Sequence, residues 1–225
     1  MSAAVQFSPT GRYAVLYSGG KDSTLALDRA RRAGANIVSL VTLYDSRTRR
    51  IRFHGTRVSV MQAQADALGL PTMLYPAPAE LFESVFLRAL RDLTASGVTG
   101  LILGDIYLAD VRAWYEDRVR AAGLEHIEPL WGEDPGALAA EVVARGYEAI
   151  ITCVEDARAD SAWLGQPLTT SLLHQFAERG IDICGERGEY HTLVVNGPLF
   201  AHRVPVTLGA IHTEAGFSQI DTLLV

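Results

Sequence analysis

Apolar positions along this chain switch between two spacings. Residues 13–17, "YAVLY", form a short unbroken apolar run ending in Ser-Gly-Gly, as a buried strand does at its carboxyl edge. From Asp22 to Ala33 the spacing becomes helical. Asp22 and Ser23 suit an N-terminus, Leu25, Leu27 and Ala30 supply apolar surface, and Gly34 ends the pattern. "NIVSLVTL" (36–43) is again continuous and rich in β-branched residues, the composition of a strand covered on both faces. A polar stretch, "YDSRTRRIRFH" (44–54), precedes a helix near Arg57 to Leu68. "LPTMLYPA" (70–77) is a further strand, and helical spacing follows from Ala79 to about Ala95. "TGLILGD" (99–105) repeats the first design, a buried strand ending in Gly-Asp, and a helix from about Ala109 to Ala122 follows it.

Strands alternating with helices, with apolar runs of the parallel type, predict an α/β fold with a doubly wound parallel sheet. Ligands in such sheets sit beyond the carboxyl ends of the strands, where "SGGKDS" and "LGD" both lie. The pattern loosens after "EPLWGEDPG", which sets a boundary near Pro129. Residues 1–130 are read as a nucleotide-binding domain and residues 131–225 as a smaller C-terminal α/β region. The latter holds a helix near Pro135 to Arg145, a strand at "YEAIITCV", a helix from Leu168 to Arg179 and a strand-rich tail from Tyr190.

Composition narrows the function classes. With 26 acidic against 20 basic residues the formal charge is −6, so nucleic acid is not the expected partner. No apolar run reaches bilayer length, and "MSAAVQFSPTGRY" lacks a basic segment followed by a long apolar one. Cys153 and Cys184 stand far apart with no C-x-x-C, which excludes a disulfide framework and makes both read as buried, inert thiols. Together these features predict a cytoplasmic protein without a membrane anchor; a homo-oligomer is compatible with them. The arginines at 47, 49, 50 and 52 are read as a solvated loop, a grip on RNA or an acidic protein being the alternative.

Lys21 is the only lysine, while every other cationic side chain except the histidines is arginine. It sits in a phosphate cradle. Gly19 and Gly20 let backbone N–H groups approach an anion, Ser18 and Ser23 add hydroxyls, and the helix beginning near Asp22 adds its positive end. A Walker A loop and a dinucleotide fingerprint both fail on glycine spacing. A compact ammonium fits inside a loop wrapped around phosphates better than a planar guanidinium does.

Residues 18–23, "SGGKDS", resemble the PP-loop of the N-type ATP pyrophosphatases, which cleave ATP between its α- and β-phosphates. Residues 184–200, "CGERGEYHTLVVNGPLF", place Glu186 and Glu189 around an Arg-Gly turn before Tyr-His-Thr and a strand. Taken together, the two phrases resemble the diphthine–ammonia ligase family of PP-loop ATPases, whose carboxyl-terminal region carries G-E-x-G-E-[FY]-x-T and a G-P-x-F ending. "LGDI" (103–106), "PLW" (129–131) and "WLG" (163–165) extend the likeness from Tyr13 to about Phe200, leaving the last 25 residues without a match.

The resemblance implies a Rossmann-like fold of the adenine nucleotide α-hydrolase type and amide synthesis from ATP, ammonium and a carboxylate, with diphthine on elongation factor 2 as the family substrate. Mg²⁺ would accompany the phosphates. Lys21, Asp22, Glu186 and Glu189 are the catalytic candidates. Ser18, Gly19, Gly20, Ser23, His54, Gly104 and Asp105 join Lys21 and Asp22 as nucleotide contacts. Gly185, Gly188, His191 and Thr192 join the two glutamates as substrate contacts. The glutamates could hold Mg²⁺ or deprotonate ammonium, and the metal ligands stay open. Two alternatives stand beside this reading: a homologue adenylating another carboxylate or a tRNA, and a nucleotide-binding module with little chemistry.

Overall fold

The computed structural model describes residues 6–225, so the first five residues of the stretch read for an export signal lie outside it. Along the chain run β1 (Tyr13–Leu16), α1 (Lys21–Arg32), β2 (Ile37–Asp45), β3 (Arg50–Ile51), α2 (Val58–Leu68), β4 (Thr72–Pro76) and α3 (Phe82–Ala95). Next come β5 (Gly100–Ile102), α4 (Ala109–Ala121), β6 (Glu125–Ile127), α5 (Pro135–Ala144), β7 (Glu148–Glu155) and α6 (Thr170–Glu178). The chain closes with β8 (Tyr190–Asn196), β9 (Val206–Glu214) and β10 (Phe217–Leu224). It divides into two compact units. The first comprises the chain up to Ser18, Asp22–Arg49 and Leu70–Glu133; the second comprises Gly19–Lys21, Arg50–Gly69 and Asp134–Val225.

Parallel strands in the order β4-β2-β1-β5-β6 build the first unit, a doubly wound α/β sheet. The chain works outward from β1 to β4, then returns to β1's other side with β5. That reversal is the topological switch point, where such sheets bind ligands. Ser18 lies just past β1, and Gly104 and Asp105 just past β5. The core forms because α3 turns Val85, Phe86, Ala89, Leu90 and Leu93 to one face, against Ala14, Val41, Leu101 and Leu103 of the sheet. Helix α1 carries Asp22 in its first turn and Arg29, Arg31 and Arg32 in its last, the charge order its dipole favours.

In the second unit the sheet is antiparallel, in the order β8-β7-β10-β9. Ala215 and Gly216 join β9 to β10, both at positive φ (53° and 83°), as a two-residue hairpin turn requires. The last 25 residues, where the sequence showed no motif, are mostly this hairpin. Two short strands escape the apolar pattern: "RI" of β3 lies in the polar stretch, and "EHI" of β6 is three residues long with two polar members.

Not all of the arginine-rich stretch is solvated. Asp221 of β10 is buried, and it accepts from Arg50 Nη1 at 2.8 Å and from Arg57 Nε and Nη2 at 3.0 and 2.5 Å. Hydrogen bonds from Arg57, then those from Arg50, hold its carboxyl well below the usual aspartate range. A carboxyl depressed in this way stabilises the fold above its unfolded pKa of about 3.9, and that contribution is lost as pH falls below it. We expect Asp221→Asn to lower unfolding free energy by about 1–3 kcal/mol at neutral pH and to flatten the loss on acidification, measured by urea titration.

Candidate active site

In the first unit, β1 delivers Ser18 and the first turn of α1 delivers Asp22 and Ser23. The Ser18 and Ser23 hydroxyls are 3.2 Å apart, so β1's end and α1's start share one hydrogen bond. The loop after β5 comes to the same place. A Cβ on Gly104 would stand 3.0 Å from the Asp22 carbonyl carbon and the Ser23 nitrogen, so only glycine lets the two backbones meet. Asp105 follows directly and acts on its surroundings as an anion, helping burial raise the Tyr115 phenol.

The second unit holds Gly19, Gly20 and Lys21 against β8. Gly19 takes φ +80°, and a Cβ there would lie 2.4 Å from Gln64 Oε1. A Cβ on Gly20 would lie 2.5 Å from His54 Cε1. The Lys21 N–H donates to Thr192 Oγ1 at 3.0 Å, and His54 Nδ1 donates to the Thr192 carbonyl at 3.0 Å. Lys21 itself is buried, 3% exposed, with its ammonium donating to the Cys184 carbonyl and lying 4.9 Å from the Tyr190 ring centroid. A buried ammonium is costly unless it finds partners; the carbonyl accepts one of its protons and the ring face attracts its charge. The lone lysine thus joins the two motifs.

The glutamate phrase is a turn shaped by its own polar groups. Asp182 Oδ1 accepts from the Cys184 N–H at 2.8 Å and the Glu186 N–H at 3.5 Å. Gly185 sits at φ +65°, where a Cβ would meet the Tyr190 carbonyl at 2.7 Å; Gly188 sits at φ +87°. Glu186 is half-buried and Glu189 buried. Arg158 Nη1 donates to Glu189 Oε1 at 3.0 Å and its Nη2 to the Arg187 carbonyl at 2.9 Å, so one guanidinium pins the Arg-Gly turn. Glu189 Oε2 is buried and has no hydrogen-bond partner among the described residues. It is an open acceptor.

His191 packs 4.8 Å from His54 and 6.0 Å from Phe53, centroid to centroid. Burial, then the nearby His54 and Lys21, push its imidazolium well below the usual histidine range, so it is a neutral ring at pH 7. Phe53 is 68% exposed and takes φ +63°, a conformation bulky residues rarely adopt. Cys153 is buried in β7, where desolvation pushes its thiol up to about 12, and the Cys184 thiol donates to the Pro135 carbonyl at 3.0 Å. Cys153 is therefore no reactive thiolate. Among the described residues no three histidine, cysteine or acidic side chains cluster to hold a metal, and no helix is long and apolar enough to cross a membrane.

Sequence reasoning missed Gln64, Tyr190 and Arg158. Gln64 was visible as a polar residue in helical register with Met61, Ala65 and Leu68, all buried. Nothing in the sequence marks Arg158, which is 31 residues from its carboxylate. Because His191 stays neutral when folded but titrates when unfolded, stability should fall as pH drops below about 6.5. Thermal unfolding between about pH 7.5 and 5.5 checks this, and the slope should shrink in His191→Gln.

Two family models match the chain: diphthamide synthase N-terminal domain over residues 11–126 and diphthamide synthase C-terminal domain over residues 134–223. A diphthine–ammonia ligase of Danio rerio is 26% identical over 236 residues, spanning 92% of this chain and 92% of its own length. That of Rattus norvegicus is 26% identical over 239 residues, spanning 94% of this chain and 90% of its own length. Among solved structures, one described as a predicted subunit of a tRNA methyltransferase from Methanocaldococcus jannaschii superposes with a TM-score of 0.49 at 18% identity, over 83% of this chain and 97% of that one. With one matched domain on each side of Pro129, the chain belongs to the diphthamide synthase family of enzymes.

Proposed function

We propose that the protein is an ATP-dependent ligase that adenylates a carboxylate and then exchanges AMP for ammonia, with diphthine on elongation factor 2 as the acceptor. One observation carries the reading: the Lys21 ammonium of "SGGKDS" is seated on the Cys184 carbonyl of "CGERGEY" and over its Tyr190 ring. A loop built only to bind a nucleotide has no need of that second motif. The name diphthine–ammonia ligase, carried by the Danio rerio and Rattus norvegicus relatives, supports the joining of ammonia to diphthine.

In the first step an acceptor carboxylate oxygen attacks the α-phosphorus of ATP. The bond to the bridging oxygen breaks, and pyrophosphate leaves with the electron pair. Ser18, Gly19, Gly20, Lys21, Asp22 and Ser23 are proposed to hold the phosphates through hydroxyls, N–H groups and one ammonium, donors that stabilise charge as it develops. Gly104 keeps the β5 loop close to Asp22 and Ser23, and His54 backs Gly20. Asp22 and Asp105, which follow β1 and β5 at the switch point, are proposed as the carboxylates that would hold Mg²⁺, which needs one or two from the protein when phosphates supply the rest. Bound there, Mg²⁺ would neutralise phosphate charge.

In the second step ammonium must lose a proton before its nitrogen can attack the acyl carbon. Glu189 Oε2, buried and open, is the proposed acceptor of that proton, with Glu186, His191 and Thr192 around the acyl group and Gly185 and Gly188 shaping the turn. AMP then leaves with the acyl C–O electron pair, and the attacking nitrogen loses its second proton to solvent. Residues 1–130 would thus serve the nucleotide and residues 131–225 the acceptor.

Incubation with ATP, Mg²⁺, ammonium and candidate carboxylates tests the proposal. AMP and pyrophosphate should form in an acceptor-dependent way; ADP and phosphate would overturn it. Lys21→Arg should bind ATP about tenfold more weakly or worse, because the bulkier guanidinium does not fit the buried ammonium position. Glu189→Gln should still release pyrophosphate in a single turnover but form amide at least about a hundredfold more slowly.

A further inference from the structure

Gln64 lies on the buried face of α2 with Met61, Ala65 and Leu68, and it is fully buried. Its Nε2 donates to the Gly19 carbonyl at 3.1 Å and to the Val194 carbonyl at 2.6 Å. The Gly19 carbonyl also accepts the Val194 N–H at 2.9 Å, so two donors fix that one oxygen. The amide's own oxygen fares worse. Gln64 Oε1 is buried without a hydrogen-bond partner, an arrangement that costs free energy. A methionine would fill the same volume but would take the side-chain donor from the Gly19 and Val194 carbonyls, so the amide serves the two bonds it donates rather than packing alone.

What the amide does is set by peptide geometry. In a trans peptide the C=O and N–H point in opposite directions, so fixing the Gly19 carbonyl fixes the direction of the Gly20 N–H. Gly19, at φ +80° and without a side chain, supplies no restraint of its own. Its neighbourhood also forbids one, since Gln64 occupies the space a Cβ would need.

We propose that Gln64 is a positioning residue for the phosphate loop, its amide locking the Gly19–Gly20 peptide against β8 in the orientation that binds the phosphates of ATP. The assignment rests on reading residues 18–23 as the nucleotide loop of the proposed ligase. It adds that the loop arrives ordered, which lowers the entropy lost on binding. It also gives α2 a part in nucleotide affinity through a residue that never touches the nucleotide.

Calorimetric titration of the whole chain with α,β-methylene-ATP tests it. Gln64→Met keeps the volume and removes both donors. Its melting temperature should fall only modestly, as the Val194 carbonyl loses its side-chain donor, while its nucleotide affinity, measured well below that temperature, falls about tenfold or more. In turnover the KM for ATP should rise and the KM for ammonium should not, a split that a general loss of packing would not produce. Gln64→Glu supplies a second, independent reading. At about pH 8 its ionised carboxylate faces two carbonyl oxygens and binding should be weak; toward about pH 6 the protonated acid donates again and binding should recover. Equal affinity in Gln64→Met and the unchanged protein would overturn the assignment. Should that variant not fold, a Gln64→Glu affinity that does not recover on acidification would overturn it instead. If the unchanged protein itself binds no nucleotide, the reading of the loop fails and the assignment falls with it.

Discussion

A single buried ammonium governs much of the second unit. Lys21 carries its charge into a site that is 3% exposed, and there it finds the Cys184 carbonyl and the face of Tyr190. Burial makes the choice of cation exacting, because a charge without partners in such surroundings is strongly destabilising. The requirement spreads outward. Cys184 must present its carbonyl, so Asp182 caps the turn through its N–H; Tyr190 must present its ring, and its hydroxyl is anchored on the Ile183 carbonyl at 2.5 Å. Gly185 must then adopt a left-handed conformation to let the turn pass Tyr190. The chain's preference for arginine stops at this residue for a steric and electrostatic reason.

The same turn carries the acidic residues. Arg158 occupies one oxygen of Glu189 and the Arg187 carbonyl, leaving the second Glu189 oxygen buried and open. A carboxylate half used by the protein and half available suits a group that must take a proton from a small cation. In the proposed ligase that is ammonium, and Gly19 and Lys21 of the phosphate loop hydrogen-bond to β8 or to the turn before it, the turn that also carries Glu189.

Much of this architecture was readable before any coordinates. The apolar runs at 13–17, 36–43 and 99–105 became β1, β2 and β5 because fully covered strands need continuous apolar sequence. The turn between β1 and α1 was readable because glycines after an apolar run mark a turn and Asp22 and Ser23 suit a helix N-terminus. Other features left no local trace. β6 is three residues with a polar majority, and its place is decided by pairing with β5. Asp221 reads as an ordinary polar residue of a strand, yet it gathers arginines 171 and 164 residues away. Arg158 is equally silent. Interactions of that kind belong to the folded chain, and a linear pattern of apolar and polar residues carries no record of them.

Because Lys21 is the only lysine, labelling lysine Nζ with nitrogen-15 yields one side-chain ammonium signal from the whole protein. If that ammonium is buried on Cys184 and serves the phosphate loop, its protons should exchange slowly enough to be seen near neutral pH. The signal should then shift when ATP with Mg²⁺ is added. A rapidly exchanging ammonium that ATP leaves unchanged would contradict the account.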